Sequence, residues 1–281
     1  MVSPFDYVWF WLLANSGETR DLLIALAAAC VGPYLLYRAT TARRLVAAQQ
    51  RTAEATELGK SAEVMAAAFA GLGGREIQIR VGAIYTLERH ARDRPSDQGP
   101  IVQTLAAFVR ERCPAPVPKL VDGAYENPPP EAIYVAPVTD IQAAVTVLGR
   151  RERANDPPGT RLSFASVNLS GYDLSDGDFT GASFKGAYLC ASNFAGAKLA
   201  RADFQLAMLE NADFYNAKAP EASFSAAYCG QTRFAHSDLG GASFVESDLR
   251  DADFTGAKLA GANLQAALID GARLDTKRLG P

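Results

Sequence analysis

The chain has little of what most enzymes and metal proteins need. Its 281 residues include only two histidines, His90 and His236, and four cysteines, Cys30, Cys113, Cys190 and Cys229. The cysteines are far apart and match no Cys-x-x-Cys spacing, so neither a zinc site nor a disulfide framework is indicated, and scattered thiols suit a reducing compartment. No Gly-rich loop precedes a Lys-Ser or Lys-Thr pair; Gly71 to Gly74 lacks that sequel and reads as the end of a helix. Charge of one sign is lacking too. The formal net charge is −3, and no segment is basic enough for a nucleic-acid groove. These absences favour a non-enzymatic protein with no cofactor, and the aspartates that remain follow the repeat described next.

What the chain does have is a period of five. From Phe164 a large apolar residue recurs at every fifth position through Leu169, Leu174, Phe179, Phe184 and Leu189 as far as Leu279, without a register slip; Ala219 and Cys229 are the two smaller members. A small residue stands two positions earlier, as at Ala182, Ala187, Ser192 and Ala202, and Asp or Asn often falls between the two. Five matches neither a helix nor a strand. It suits a chain that turns one corner per quintet with one large and one small side chain inward, and Gly181, Gly186, Gly196, Gly241, Gly256, Gly261 and Gly271 stand where that corner needs permissive dihedrals. Between Phe184 and Leu259 the centres mostly alternate Phe and Leu, so four quintets per coil would stack Phe184, Phe204, Phe224 and Phe244 in one column, and Phe194, Phe214, Phe234 and Phe254 in the opposite one.

This pattern of Ala, then Asp or Asn, then Leu or Phe, then two variable residues resembles the pentapeptide-repeat family over residues 162–279. The resemblance implies a mainly β fold, a right-handed quadrilateral β-helix, for residues 156–281. Functions differ widely within that family, so the fold alone says little about function.

Upstream, Leu22 to Tyr37 is a 16-residue apolar stretch between Arg20-Asp21 and Arg38. With the aromatic run Tyr7 to Leu13 as an interfacial anchor, it reads as one transmembrane helix within residues 1–42. The first 19 residues hold no Lys or Arg, which speaks against a cleaved leader. Arg38, Arg43, Arg44 and Arg51 follow the stretch, so the positive-inside bias places the N-terminus outside and the repeats in the cytoplasm, at a bacterial inner membrane.

Residues 43–155 read as helical. An Ala/Glu/Gln-rich stalk over 43–72 precedes two amphipathic helices over 75–93 and 98–112, paired as a hairpin about the turn at Arg94 to Asp97. On the first of these, Ile77, Val81, Ile84, Tyr85, Leu87, Glu88 and Ala91 are expected on the packed face, and Arg80, Arg89 and Arg92 on the solvated one; His90 is expected at the surface. Seven prolines make 113–137 an extended loop, and 138–151 a third helix, with Asp140 as an early-turn acid, placed to cap the first coil. Lys277, Arg278 and the final Gly-Pro would blunt the far edge. With the segments RVGAIYTLERHARD, AFVRE and DIQAAVTVLGRR, the chain resembles a bacterial group of membrane-anchored pentapeptide-repeat proteins. That resemblance carries over no functional residues.

On a four-sided grid, the outward position before each centre gives one column per side. Three columns are polar. The fourth reads Asn168, Tyr188, Met208, Tyr228, Asp248, Leu268. Tyr188, Met208 and Tyr228, with Leu206 at the adjoining corner, form a candidate protein-docking strip; the alternative is that this strip covers the chain's own Pro-rich loop. The leading functional reading is a membrane-anchored cytoplasmic scaffold for a protein partner. The alternative is a DNA-mimicking, topoisomerase-protecting protein, opposed by the Lys column at Lys198, Lys218 and Lys258 and by the eleven Lys/Arg against fourteen Asp/Glu of residues 160–281.

Overall fold

The computed structural model describes residues 18–116, 119–121, 124–126 and 133–274. It divides into two units, residues 1–64 and 65–281. Helix α1, Glu18–Leu72, is continuous across the stretch read as an anchor and the stretch read as a stalk. Among the described residues no helix is long and apolar enough to cross a membrane. The expected span at Leu22 to Tyr37 is therefore unsupported: its uncharged run stops at 16 residues, where a span takes about 20. The aromatic run Tyr7 to Leu13 and the edge residues Lys277 and Arg278 lie outside the described residues.

The period of five is written into the backbone. Every fifth residue from Ser166 to Gly271 has a left-handed φ, between 53° and 74°. Fourteen of these corners are not glycine, and none of the fourteen is β-branched, as the left-handed region demands. The glycines noted in the sequence are thus the easiest occupants of a corner that the repeat imposes on every quintet.

Hydrogen bonding explains the rest of the motif. In the quintet 203–207 the Asp203 amide donates to Ala182 O at 2.9 Å, Phe204 to Ser223 O at 2.7 Å, Leu206 to Ser225 O at 3.2 Å and Ala207 to Phe204 O at 3.1 Å. The remaining amide, of Gln205, donates to Asp203 Oδ1 at 3.0 Å. Asp or Asn precedes the centre because its side chain satisfies the one amide that neither the turn nor the neighbouring coil reaches. The same bond recurs at Asn193, Asp213, Asp253 and Asn263.

Successive coils pair through parallel bridges twenty residues apart, from Ser163↔Ser183 to Asp253↔Arg273, which fixes four sides. Inside, Phe184, Phe204, Phe224 and Phe244 stack at 4.9 Å, and Phe194, Phe214, Phe234 and Phe254 at 4.8 to 5.1 Å. The two columns meet edge to face in the axis at 5.4 to 5.7 Å, the geometry ring quadrupoles favour.

Before the repeats come α2 (Ile77–Asp93), a 3₁₀ turn (Pro95–Asp97), α3 (Gln98–Arg112) and α4 (Thr139–Arg150). The expected hairpin and third helix are present. Within 113–137, read as wholly extended, Lys119–Val121 (β1) pairs antiparallel with Ala124–Glu126 (β2). Asp122-Gly123 between them was the available signal for a hairpin.

Helix α2 departs from expectation at His90 and on its packed face. His90 is 8% exposed, and its Nε2 lies 2.8 Å from Asp97 Oδ2, so it staples the helix end to the turn rather than facing solvent. Arg80 is 6% exposed, pairs with the buried Asp140 of α4, and donates from Nη1 to Gly74 O and Arg75 O, whereas Tyr85 faces outward. Positions 80, 83, 84, 87, 90 and 91 form the true packed stripe at helical spacing. Two of its members, Arg80 and His90, are polar, and residue type alone places them in solvent.

These helices close the first coil on all four sides. Arg110 donates to Ser163 O at 3.0 Å; Asn168 N donates to Cys113 O at 2.7 Å and Ala115 N to Ser166 O at 2.9 Å. Gln142 exchanges two bonds with the Asp173 backbone, and Asp178 donates its amide to Gly149 O while its carbonyl accepts from Arg151. Ile141, Ala144, Val145 and Leu148 of α4 share one core with Phe164 and Phe179. A sheet edge that would invite pairing with another chain is sealed.

Candidate functional site

The expected outward column is realised as a ladder of bridges: Asn168↔Tyr188, Tyr188↔Met208, Met208↔Tyr228, Tyr228↔Asp248 and Asp248↔Leu268. Strand spacing of about 4.8 Å makes it a continuous row on one flat side. Its members fare differently. Tyr188 is only 8% exposed and forms a small apolar cluster with Ile133 and Cys190, against which Ala115 and Met208 pack. Asn168 Nδ2 donates to Ile133 O at 3.0 Å and pins that segment down. Tyr188 is therefore cover for the chain's own segment, not open docking surface. Lower on the same side Met208 is half-buried, while Tyr228 is 53%, Leu206 54% and Leu268 51% exposed.

Sequence reasoning placed all four candidates on the correct side and corner. It missed the division between them, because Ile133 stands in a proline-rich stretch with no periodicity that would aim it anywhere. It also left Leu268 out of the strip, although the column already contained it.

Charge around the exposed part is one-sided. Over 206–211, 226–231, 246–251 and 266–271 stand five carboxylates, Glu210, Glu246, Asp248, Asp251 and Asp270, against one guanidinium, Arg250. Arg250 is held by Asp248, with Nε at 2.9 Å from Oδ1 and Nη2 also bonded, and this keeps the Asp248 carboxyl below its usual range. Elsewhere the β-helix instead pairs its charges between coils: Arg201 with Glu221 at 2.8 Å, Arg233 with Asp213 at 3.3 Å and, on the opposite side, Lys198 with Asp178 and Lys258 with Asp238 at 3.8 Å.

Other chemistry is sparse. Among the described residues no group of three or more His, Cys, Asp or Glu could hold a metal ion. Cys229 is a fully buried centre whose thiol burial pushes upward, and burial pushes the Cys190 thiol up to about 11, so neither is a ready nucleophile. His236 sits at an exposed corner with its ring edge-on to Tyr215 at 5.5 Å, and Arg233 lies over the Tyr215 ring at 4.4 Å. A cleft of about 390 Å³ opens between α2, α3 and α4 over Ile101, Val102 and Leu105; its rim is tied by Arg150, which grips Glu88 through two bonds.

A family model for pentapeptide repeats matches residues 190–225 and 227–265, with eight copies. Among solved structures, a pentapeptide repeat protein from the Arabidopsis thaliana thylakoid lumen is 34% identical over 34% of this chain and 62% of its own, with a TM-score of 0.28. HetL, a pentapeptide repeat protein involved in heterocyst differentiation regulation from the cyanobacterium Nostoc sp. strain PCC 7120, is 24% identical over 40% of this chain and 56% of its own, at 0.31. Full-length QnrB1, a plasmid-mediated fluoroquinolone resistance protein, is 20% identical over 42% and 67%, at 0.29. The chain thus spans less than two thirds of the first two. No curated protein matches it. With the period of five, the bridges twenty residues apart and the family match in hand, the C-terminal part of this chain is a pentapeptide-repeat domain, folded as a right-handed β-helix.

Proposed function

We propose that the protein is a non-enzymatic scaffold that docks a protein partner on the Tyr228 side of its β-helix. The observation that carries this reading is the exposed group Leu206, Tyr228 and Leu268 beside half-buried Met208. Among the described residues the other sides expose one large ring, Tyr215, with Arg233 over its face, while this one leaves three large apolar groups in water on a rigid, hydrogen-bonded surface. Such patches mark interaction sites, and a Tyr offers a partner both a ring and a hydroxyl.

The test is a photo-crosslinking residue introduced at Tyr228 in one variant and at Gln205, on another side, in a second. A discrete protein adduct from position 228 and none from 205 supports docking. Equal or absent adducts from both positions overturn it.

The same proposal places the scaffold at a membrane, at its cytoplasmic face. Its support is compositional: sixteen uncharged residues, then Arg38, Arg43, Arg44 and Arg51 with no acid among them. Extraction of membranes with alkaline carbonate tests it. Full release of the chain into the soluble fraction would remove the membrane part and leave the docking part standing.

A further inference from the structure

We infer that the occupant of the Tyr228 side is a basic protein segment carrying apolar side chains, one that lays Lys or Arg beside Leu-like residues along the coils. The inference rests on the docking reading and adds the chemistry of the partner to it. Its ground is the contrast between sides. Elsewhere on the β-helix, acids and bases twenty residues apart neutralise one another through Arg201 and Glu221, Arg233 and Asp213, Lys258 and Asp238. On this side Glu210, Glu246, Asp251 and Asp270 make no salt bridge among the described residues, and Arg250, the one base, is already held by Asp248.

Asp251 and Asp270 meet on successive coils, the Asp251 amide donating to the Asp270 carbonyl at 3.0 Å, so two like charges stand close together. Asp251 and Asp270 both lie within the field of Arg250, which cannot neutralise both while it grips Asp248. The uncompensated carboxylates surround the exposed Tyr228, Leu206 and Leu268, so one ligand can meet both features. A cationic segment supplies the missing counter-charge, and its apolar side chains cover the strip. Nucleic acid and anionic lipid carry the wrong sign for this side, and a second copy presenting the same side would meet it acid to acid.

The test uses the full chain and three labelled synthetic peptides, alternating Lys with Leu, Lys with Ser, and Glu with Leu, read by fluorescence anisotropy. The Lys/Leu peptide is expected to bind, less tightly as salt rises, with the Lys/Ser peptide weaker and the Glu/Leu peptide silent. The triple variant Asp248→Asn, Asp251→Asn, Asp270→Asn is expected to weaken binding by about tenfold or more while lowering the melting temperature only slightly, through loss of the partly exposed Asp248–Arg250 pair. Asn keeps the acceptor that the turn needs, since Asn193 and Asn263 make that same bond at equivalent positions, and Asn suits the left-handed corner at 251.

Unchanged binding by the triple variant, or equal binding of the Glu/Leu peptide, overturns the basic-segment inference. If the crosslink from position 228 persists in that event, docking survives and only the partner's chemistry falls. If Tyr228→Ala alters neither peptide binding nor crosslinking of its neighbours, the docking reading falls with it.

Discussion

Phe204 and Gln205 are adjacent, yet one is fully buried between Phe184 and Phe224 and the other lies on the surface with its amide bound to Asp203. Phe204→Ala should cost about 3–5 kcal/mol, because stacked rings above and below hold the cavity open. Gln205→Ala should change the melting temperature little. Chemical denaturation of both variants measures the difference, and equal effects would mean the register is wrong. The corners make a second test. Gln231 has φ 57°, and Gln231→Val should destabilise where Gln231→Gly does not, since a β-branched side chain is an outlier there. A third concerns acid. The Thr255 side chain bonded to Asp253 and the Arg250 side chain bonded to Asp248 hold both carboxyls below the usual aspartate range. Each therefore contributes stability that is present above about pH 4 and lost as pH falls through the lowered folded value. Melting temperature should be flat from neutral pH to about pH 5 and fall below pH 4, less steeply in the Asp248→Asn, Asp253→Asn variant.

At the scale of elements, α4 shows where two generic rules oppose each other. Gly149 lies in its last turn, where Gly→Ala ordinarily stabilises a helix by about 1 kcal/mol. Here an added Cβ would meet the Phe179 ring at 2.9 Å and the Gly177 Cα at 3.2 Å, so Gly149→Ala should instead loosen the seal on the first coil. Hydrogen exchange at Asp178, whose amide donates to Gly149 O, reads that loosening directly. Tyr188→Glu should likewise free the Ile133 segment to proteolysis, while Tyr228→Glu, two coils along the same column, should not. The sequence made the coil, its register and the three helices legible, because each rests on a period repeated many times. It hid what depends on a single contact. Arg80 and His90 looked solvated because their partners, the buried Asp140 and the partly exposed Asp97, lie beyond the helix that carries them. Tyr188 looked like Tyr228 because the residue that distinguishes them, Ile133, belongs to no repeat.

For the molecule as a whole, the question is whether the β-helix imitates DNA, the rival reading of its charge. Duplex DNA carries about one negative charge per 1.7 Å of axis. Residues 163–274 make between five and six coils, a rod of about 27 Å at the usual strand spacing, so imitation would call for roughly sixteen charges. Those residues offer eight Lys/Arg against thirteen Asp/Glu, a net charge of −5 and well short of that number. Its excess is also confined to one side, while another carries Lys198, Lys218 and Lys258 in line and ties two of them to Asp178 and Asp238. The full chain should therefore leave gyrase supercoiling unaffected at micromolar concentration and should not displace DNA from the enzyme as salt is lowered. Salt-sensitive inhibition, abolished by Asp248→Asn, Asp251→Asn and Asp270→Asn together, would show that a local acidic side suffices for mimicry and would replace the scaffold reading with the rival one.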